Sequence, residues 1–307
     1  VSYLFITNLF HLLIYKYNVE VQPDYILIAK LPVGKSVSYF IIDSKSDLSK
    51  CAENKDISLL LYPPKICLTV HAPDESSITR EFDSKKSVGD MIASLCHSSF
   101  RLQTHLAYAL YLKVKDSLFS LSSVKTIIEY NPFTTDVYLK RCFWLKPYIK
   151  INKESDINFI YSQARGIVYD PNFQYKFYKF NDLIAIDLII KHETYEKAKK
   201  FLKKAKKKQV FPKYIYDSRK NIKNTVKQMK QYDGKPVLEL KKAFISLCLQ
   251  YQFFGIPRWS VKCSSPENPN DPQKDYFMTV DEDYVYIIEP KSQVIFFKVE
   301  ITRISKY

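Results

Sequence analysis

The chain has 307 residues, of which 46% are hydrophobic and 26% are charged. These fractions are typical of folded globular proteins and exclude wholesale disorder or a fibrous repeat, and at about 150 residues per domain the length suggests two or three domains. Only 5 residues are glycine, which argues against the glycine-rich loops that hold a cofactor's phosphates. The net charge of +15 favours an acidic partner such as anionic lipid, nucleic acid or an acidic protein.

Much of this charge lies in one segment. Residues 191 to 230 contain 15 Lys and Arg, and their acidic residues are Glu193, Glu196 and Asp217. This segment is therefore the first candidate for binding an acidic surface.

The cysteines and the N-terminus both point to the cytoplasm. The six cysteines form no Cys-x-x-Cys pair, and neighbours such as Ile66-Cys67-Leu68 and Leu247-Cys248-Leu249 favour reduced, buried thiols. The apolar start, residues 3 to 15, is shorter than the roughly 20 residues that span a bilayer and predicts a packed helix. No initiator Met or basic leader is present, so we expect no signal peptide and a chain that begins inside a longer protein.

The first two blocks of the chain alternate between strands and helices. After the helix at 3 to 15, strands are predicted at 25–29, 37–42 and 57–61. A hairpin is then predicted from strands 65–70 and 78–82. Ser87 and Asp90 form a capping-box-like start to a helix with its apolar stripe at Val88, Met91, Ile92, Leu95 and Cys96. Further strands are predicted at 107–112, 118–121 and 136–144.

The third block is helical and the fourth returns to strands. We expect a helix capped by Ser155, an apolar buried helix over 183–190, and a helix with Tyr195, Ala198, Phe201, Leu202 and Ala205 on one side and its lysines in solvent. A last helix, with Leu240, Ala243, Phe244, Leu247 and Tyr251 inward, ends near Gly255. Meander strands are predicted at 258–264, 276–280, 284–289 and 294–299.

Particular residues resemble the talin branch of the FERM family. The most specific element is Tyr161-x-Gln163-Ala164-Arg165. The other similar stretches are 62–66, 82–92, 139–144, 157–165, 211–214, 249–256, 283–291 and 304–307. The lobe before the ubiquitin-like one is shared with talin and kindlin, and no room exists within 146–255 for kindlin's pleckstrin-homology insertion. Kindlin and other FERM proteins are therefore more distant matches.

The resemblance implies an α+β multidomain fold, a FERM head. Residues 1–63 would form an N-terminal ubiquitin-like lobe incomplete at its start, and 64–145 a ubiquitin-like FERM lobe. Residues 146–255 would form an all-α lobe like acyl-CoA-binding protein. Residues 256–307 would form a PH/PTB-like lobe, incomplete at its end.

The resemblance also implies a talin-like cytoskeletal adaptor that docks on phosphoinositide membranes at the inner face of the plasma membrane. Its partners would be acidic phospholipids, an integrin-like or other receptor tail, and actin through segments absent from this chain. No tail-binding residue is assigned. The implied lipid-binding residues are Lys197, Lys200, Lys203, Lys204, Lys207, Lys213, Arg219 and Lys220.

Two other interpretations of the lysines stay open. They could be a merely solvated face, because runs of charge are common. They could also bind nucleic acid, since Tyr175 to Phe180 interleaves aromatic residues with lysines as single-strand binders do. No RNA-binding signature accompanies that run, so nucleic acid is the weaker partner.

No catalytic, metal or cofactor site is predicted. Gly34-Lys35-Ser36 ends like a phosphate-binding loop, but Pro32 removes an amide and a strand follows where a helix must start. Cys96 and His97 are helical neighbours, about 100° apart, and do not face each other. The five histidines show no metal-ligand spacing. We therefore expect a protein that is not an enzyme and has neither cofactor nor metal.

Overall fold

The computed structural model describes residues 26–33, 36–42, 58–115, 117–130, 136–144, 153–170, 179–204, 210–211, 219–251, 253–256, 258–264, 273–281, 283–290 and 294–304. The chain forms two compact units, residues 1–140 and 141–307. The predicted helix at 3 to 15 lies outside the described residues, and the four predicted lobe boundaries stay a prediction.

A three-stranded antiparallel sheet is the first described element of the N-terminal unit. Its strands are β1 (Ile26–Val33), β2 (Ser36–Ile42) and β3 (Ser58–Tyr62), in the order β2-β1-β3. The three predicted strands are confirmed. Because β1 and β2 pair as a hairpin with Val33 opposite Ser36, a strand follows Gly34-Lys35 where a phosphate-binding loop needs a helix.

A five-stranded sheet forms the rest of this unit. Its strands lie in the order β5-β4-β8-β6-β7, and β4 runs parallel to β8. Exposed and buried side chains alternate along β4, and Ile66, Leu68 and Val70 lie on its buried face. The strands are β4 (Lys65–His71), β5 (Ser77–Asp83), β6 (Tyr108–Val114), β7 (Ser117–Ser120) and β8 (Val137–Arg141).

Helix α1 (Val88–Ser94) covers this sheet and begins as predicted. Ser87 Oγ accepts from the Asp90 amide at 3.1 Å and donates to Asp90 Oδ2 at 2.8 Å, so Ser87 is the N-cap as predicted, while the Asp90 carboxylate bonds the Ser87 hydroxyl and not its amide. The helix continues into a π-helical turn, Leu95–Ser99. All five residues of the predicted apolar stripe are buried.

The described cysteines match the prediction of buried thiols only in part. Cys96 and Cys248 are buried, Cys142 and Cys263 are partly buried, and Cys67 is exposed. The exposure of Cys67 follows from the strand period of two, because Ile66 and Leu68 face the core and Cys67 must then point the other way.

In the C-terminal unit, five helices of the described ranges pack around one apolar core. The core includes Trp144, Ile160, Leu183, Phe244 and Phe254. Helix α2 packs against α6, and α3 packs against α4, α5 and α6. The helices are α2 (Glu154–Tyr169), α3 (Phe180–His192), α4 (Tyr195–Lys204), α5 (Arg219–Tyr232) and α6 (Val237–Cys248). No helix in the described part of the chain is both long enough and apolar enough to cross a bilayer.

Two details of these helices depart from the sequence predictions. Ser155 is not the N-cap of α2, because the helix begins at Glu154 and the cap position is Lys153, which makes no side-chain capping bond. Helix α5 was not predicted at all. Its apolar stripe is narrow, carried by Ile222, Val226 and Met229, and most of its other residues are polar.

The last element is an antiparallel meander in the order β12-β11-β10-β9, as predicted. Its strands are β9 (Trp259–Cys263), β10 (Lys274–Val280), β11 (Tyr284–Ile288) and β12 (Ile295–Glu300). Tyr286 and Ile288 of β11 join the helical core.

Candidate functional site

The exposed lysines of α4 and α5 form the strongest chemical feature of the C-terminal unit. The sides of both helices that face solvent carry amines, and both opposite sides pack into the core. We call this set the lysine surface, and its members are Lys197, Lys200, Lys203, Lys204, Lys220, Lys223, Lys227 and Lys230.

Helix α4 is oriented by its start and by its buried stripe. Thr194 Oγ1 accepts from the Lys197 amide at 3.4 Å, a weak N-cap contact at the first turn. Tyr195, Ala198 and Leu202 are buried. Because these residues recur every three or four positions, the lysines between them are turned to solvent.

Helix α5 is fixed to α3 by two side-chain hydrogen bonds. Thr225 Oγ1 donates to Asn181 Oδ1 at 3.1 Å, and the Tyr232 hydroxyl donates to Asp182 Oδ1 at 2.9 Å. Burial and the bond to Asp182 raise the pKa of Tyr232 far above its usual range, so this hydroxyl stays protonated. Met229 is fully buried between these contacts.

Tyr195 joins the two helices. Its amide donates to Asp233 Oδ1 at 2.8 Å, which ties the start of α4 to the residue just after α5. Lys199 Nζ lies 5.0 Å from the centre of the Tyr195 ring and Lys230 Nζ lies 5.8 Å from it. An aromatic face attracts each ammonium group, so amines from two helices are held beside one ring.

Acidic side chains neutralise only part of this surface. Lys197 Nζ pairs with Glu193 Oε2 at 2.8 Å, and Lys199 Nζ lies 3.9 Å from Glu196 Oε1. Hydrogen bonding and charge from Lys197 lower the pKa of Glu193. Within the described ranges, Lys200, Lys203 and Lys204 form no ion pair. Their charge is therefore available to an external anion.

The structure describes five of the eight predicted lipid-binding residues in full. Lys197, Lys200, Lys203 and Lys204 are exposed on α4, and Lys220 is exposed on α5. Arg219 begins α5, and its side chain lies outside the described set, as do Lys207 and Lys213. Three residues of the lysine surface were not predicted from the sequence: Lys223, Lys227 and Lys230. Their spacing from Lys220, three then four then three residues, is the signal of a shared helical face.

The Tyr-x-Gln-Ala-Arg element belongs to the interior. The Asp187 carboxylate accepts from the Tyr161 hydroxyl at 2.6 Å, from Arg165 Nε at 2.7 Å and from the Tyr169 hydroxyl at 2.9 Å. Burial and then Asp187 raise the pKa of both tyrosines. A carboxylate with three donors is not available as an acid or base, so this cluster stabilises the helices.

Over the described ranges, no group of three or more His, Cys, Asp or Glu side chains is placed to hold an ion. The lysine surface therefore remains the candidate site, and its chemistry is electrostatic attraction of an anion.

Several solved structures have a similar fold. The MyTH4-FERM domain of human myosin 7b, solved with the harmonin-a PDZ3 domain, matches with a TM-score of 0.61 at 19% identity, covering 79% of this chain and 53% of that one. The MF2 MyTH4-FERM domain of Dictyostelium discoideum myosin VII matches with a TM-score of 0.60 at 13% identity, covering 78% and 51%. This chain thus spans about half the length of those myosin chains.

The Drosophila Merlin structure, a complex of its FERM and C-terminal domains, matches with a TM-score of 0.58 at 9% identity, covering 76% of this chain and 80% of that one. No family model and no curated protein matches the sequence. At these identities the likeness concerns the fold alone. The chain has a mixed α+β, FERM-like fold.

Proposed function

We propose that this protein is a non-enzymatic adaptor of the membrane and cytoskeleton, and that its lysine surface docks on acidic phospholipid. The observation that carries the proposal is that α4 and α5, the two helices with the exposed lysines, are joined at Tyr195, whose amide bonds Asp233 and whose ring has Lys199 and Lys230 beside it. Each Lys or Arg near an anionic leaflet contributes about 1 kcal/mol. Several such residues on one surface are enough for reversible, salt-sensitive docking.

The FERM-like fold supports the adaptor part of the proposal. One similar structure contains a PDZ domain bound to a myosin MyTH4-FERM domain, and another contains the Merlin FERM domain with its C-terminal domain. By analogy, we propose that this protein also binds partner proteins. The talin-like role, with a receptor tail, phosphoinositides, actin linkage and a place at the inner face of the plasma membrane, belongs to the same proposal and derives from the sequence resemblance.

Vesicle co-sedimentation tests the docking. The parent protein is compared with Lys203→Glu/Lys204→Glu, using neutral, phosphatidylserine and phosphoinositide vesicles at two salt concentrations. The matched control is Lys85→Glu/Lys86→Glu, another adjacent and exposed pair, on the N-terminal unit. Because two charges are reversed, we expect the α4 variant to partition at least about tenfold more weakly onto acidic vesicles and the control to lose much less.

Two outcomes would contradict the proposal. Equal loss in both variants would mean that net charge, and not this surface, drives binding. Failure of the parent to bind acidic vesicles, together with salt-sensitive binding of a single-stranded oligonucleotide that the α4 variant loses, would favour the nucleic-acid alternative.

A further inference from the structure

The end of α1 brings two distant histidines together. The Phe100 amide donates to the Leu95 carbonyl at 2.9 Å, which closes the π-helical turn, and Arg101 then takes a positive φ of 54°. This reversal returns the chain toward β6 by way of His105. The imidazole rings of His97 and His105 come to lie 5.3 Å apart, centre to centre.

The facing nitrogens of these rings are close enough to share one ion. His97 Nε2 lies 3.1 Å from His105 Nδ1, at an exposed position. An imidazole nitrogen binds a divalent transition metal at about 2.0–2.1 Å, so two nitrogens on one ion lie roughly 2.9–3.4 Å apart. The observed spacing falls in this range. One neutral ring can donate a hydrogen bond to the other, and a metal would replace that hydrogen bond, lying off the line between the two nitrogens.

We propose that His97 and His105 form a surface site for a divalent first-row transition metal of the kind that imidazole prefers, such as Ni²⁺, Cu²⁺ or Zn²⁺. The two nitrogens would supply two ligands, and water would fill the other positions. Binding requires both facing nitrogens to be unprotonated, so the neutral ring that donated the hydrogen bond changes tautomer and carries its proton on its far nitrogen. The ion would link the end of α1 to the start of β6.

The ligand type selects against hard cations. Mg²⁺ and Ca²⁺ need carboxylate or carbonyl ligands, whereas imidazole nitrogens suit Ni²⁺, Cu²⁺ and Zn²⁺. Arg80, which donates from Nη1 to Ser99 Oγ at 3.2 Å, and exposed Arg101 add positive charge to this region, which weakens the binding of every divalent ion alike. Sequence spacing did not predict the site. The two histidines are eight positions apart in the chain, and only the π-helical turn and the reversal bring them together.

Isothermal titration of the intact chain with Ni²⁺ tests the site. The variants are His97→Gln, His105→Gln and the double variant, all made with Cys67→Ser to remove an exposed thiol. Each single substitution should weaken binding at least about tenfold, because chelation by two linked ligands is lost. The double variant should bind hardly more weakly than either single variant, since one imidazole alone cannot chelate.

His71→Gln is the matched control. His71 is also a half-exposed histidine of this unit, 3.9 Å from Asp136, and its loss should leave Ni²⁺ affinity unchanged. Saturating Ni²⁺ should raise the melting temperature of the parent but not of the His97 or His105 variants, and melting without metal verifies that each variant folds. Unchanged affinity in either single variant, or an equal loss in His71→Gln, would overturn the site.

Discussion

The side-chain amide of Gln163 pairs with both backbone hydrogen-bonding groups of Arg141. Gln163 Oε1 accepts from the Arg141 amide at 2.8 Å, and Gln163 Nε2 donates to the Arg141 carbonyl at 2.7 Å. The side chain thus bonds this backbone as a neighbouring strand would, and it holds α2 to Arg141. The same Arg141 is 3% exposed and donates from Nε to the Phe143 carbonyl at 2.8 Å.

Replacing Gln163 by Ala should destabilise the protein by about 1–3 kcal/mol, because two backbone groups lose their partners in a half-buried place. Gln163→Glu should cost a similar amount, since its carboxylate can accept from the Arg141 amide but cannot donate to the carbonyl. Urea unfolding measures both changes. Gln231→Ala on exposed α5 is the control and should stay within about 0.5 kcal/mol. A Glu variant as stable as the parent would contradict the pairing.

Replacing Asp187 should cost more stability than replacing any of the side chains that donate to it. Asp187→Asn turns an acceptor of three hydrogen bonds into a group with one acceptor oxygen, and we expect a loss of about 2–4 kcal/mol. Arg165→Met should cost clearly less, because the Arg165 side chain stays 43% exposed and solvent screens its charge. Denaturant unfolding of both variants gives the order, and a larger loss for Arg165→Met would contradict it.

Alkaline pH should unfold the protein through the same cluster. Burial and then Asp187 raise the pKa of Tyr161 and Tyr169 in the folded protein, whereas a tyrosine in the unfolded chain has a pKa of about 10. Their contribution is thus complete below about pH 10 and falls above it by about 1.4 kcal/mol per pH unit for each tyrosine. Tyr169→Phe should be less stable at neutral pH and should lose stability more slowly above pH 10.

Stability measured by urea unfolding between pH 8 and pH 11 checks this slope. Tyr130→Phe, which removes a hydroxyl that accepts from the Ser122 amide outside this cluster, is the control. Parallel pH curves for Tyr169→Phe and the parent would show that the buried hydroxyl does not stay protonated.

Gly166, Gly234 and Gly255 differ in what an added methyl group would meet. A Cβ on Gly255, where φ is +70°, would fall 2.5 Å from the Trp144 ring, while Gly234 has φ +74° with open space and Gly166 has open space within α2. Gly255→Ala should therefore cost at least about 3 kcal/mol through strain and overpacking. Gly234→Ala should cost about 1–2 kcal/mol, and Gly166→Ala should stabilise by about 0.5–1 kcal/mol. Thermal unfolding measures the stability of the three variants, and any other order would contradict the predicted effects.

Hydrophobic periodicity alone predicted most of the described helices and strands. Strands with an alternating pattern, such as β4, and helices with a wide apolar stripe, such as α4, could be predicted because local sequence determines which side is buried. The run from Leu183 to Ile190 was predicted as a uniformly apolar buried helix, yet it contains Asp187. The partners of this carboxylate lie 18 to 26 residues away, and no local pattern reports such contacts.

For a similar reason, the sequence predicted the α4 part of the candidate site but not most of its α5 part. The lysines of α4 stand between buried residues of a clear stripe, so their exposure could be inferred. Helix α5 is polar along most of its length and is held by Thr225 and Tyr232, two hydrogen bonds to α3 that sequence spacing does not reveal. Without the helix, its lysines could not be assigned to a surface.

The α5 lysines should contribute to membrane docking as much as those of α4. Lys223 and Lys227 are one turn apart and exposed, and α5 is joined to α4 at Tyr195. Lys223→Glu/Lys227→Glu should therefore weaken partitioning onto acidic vesicles at least about tenfold, like the α4 pair, and should reduce the dependence of binding on salt. Helix content by circular dichroism verifies that α5 is intact. Parent-like binding by this variant would confine docking to α4, and the shared surface around Tyr195 would then have no role in it.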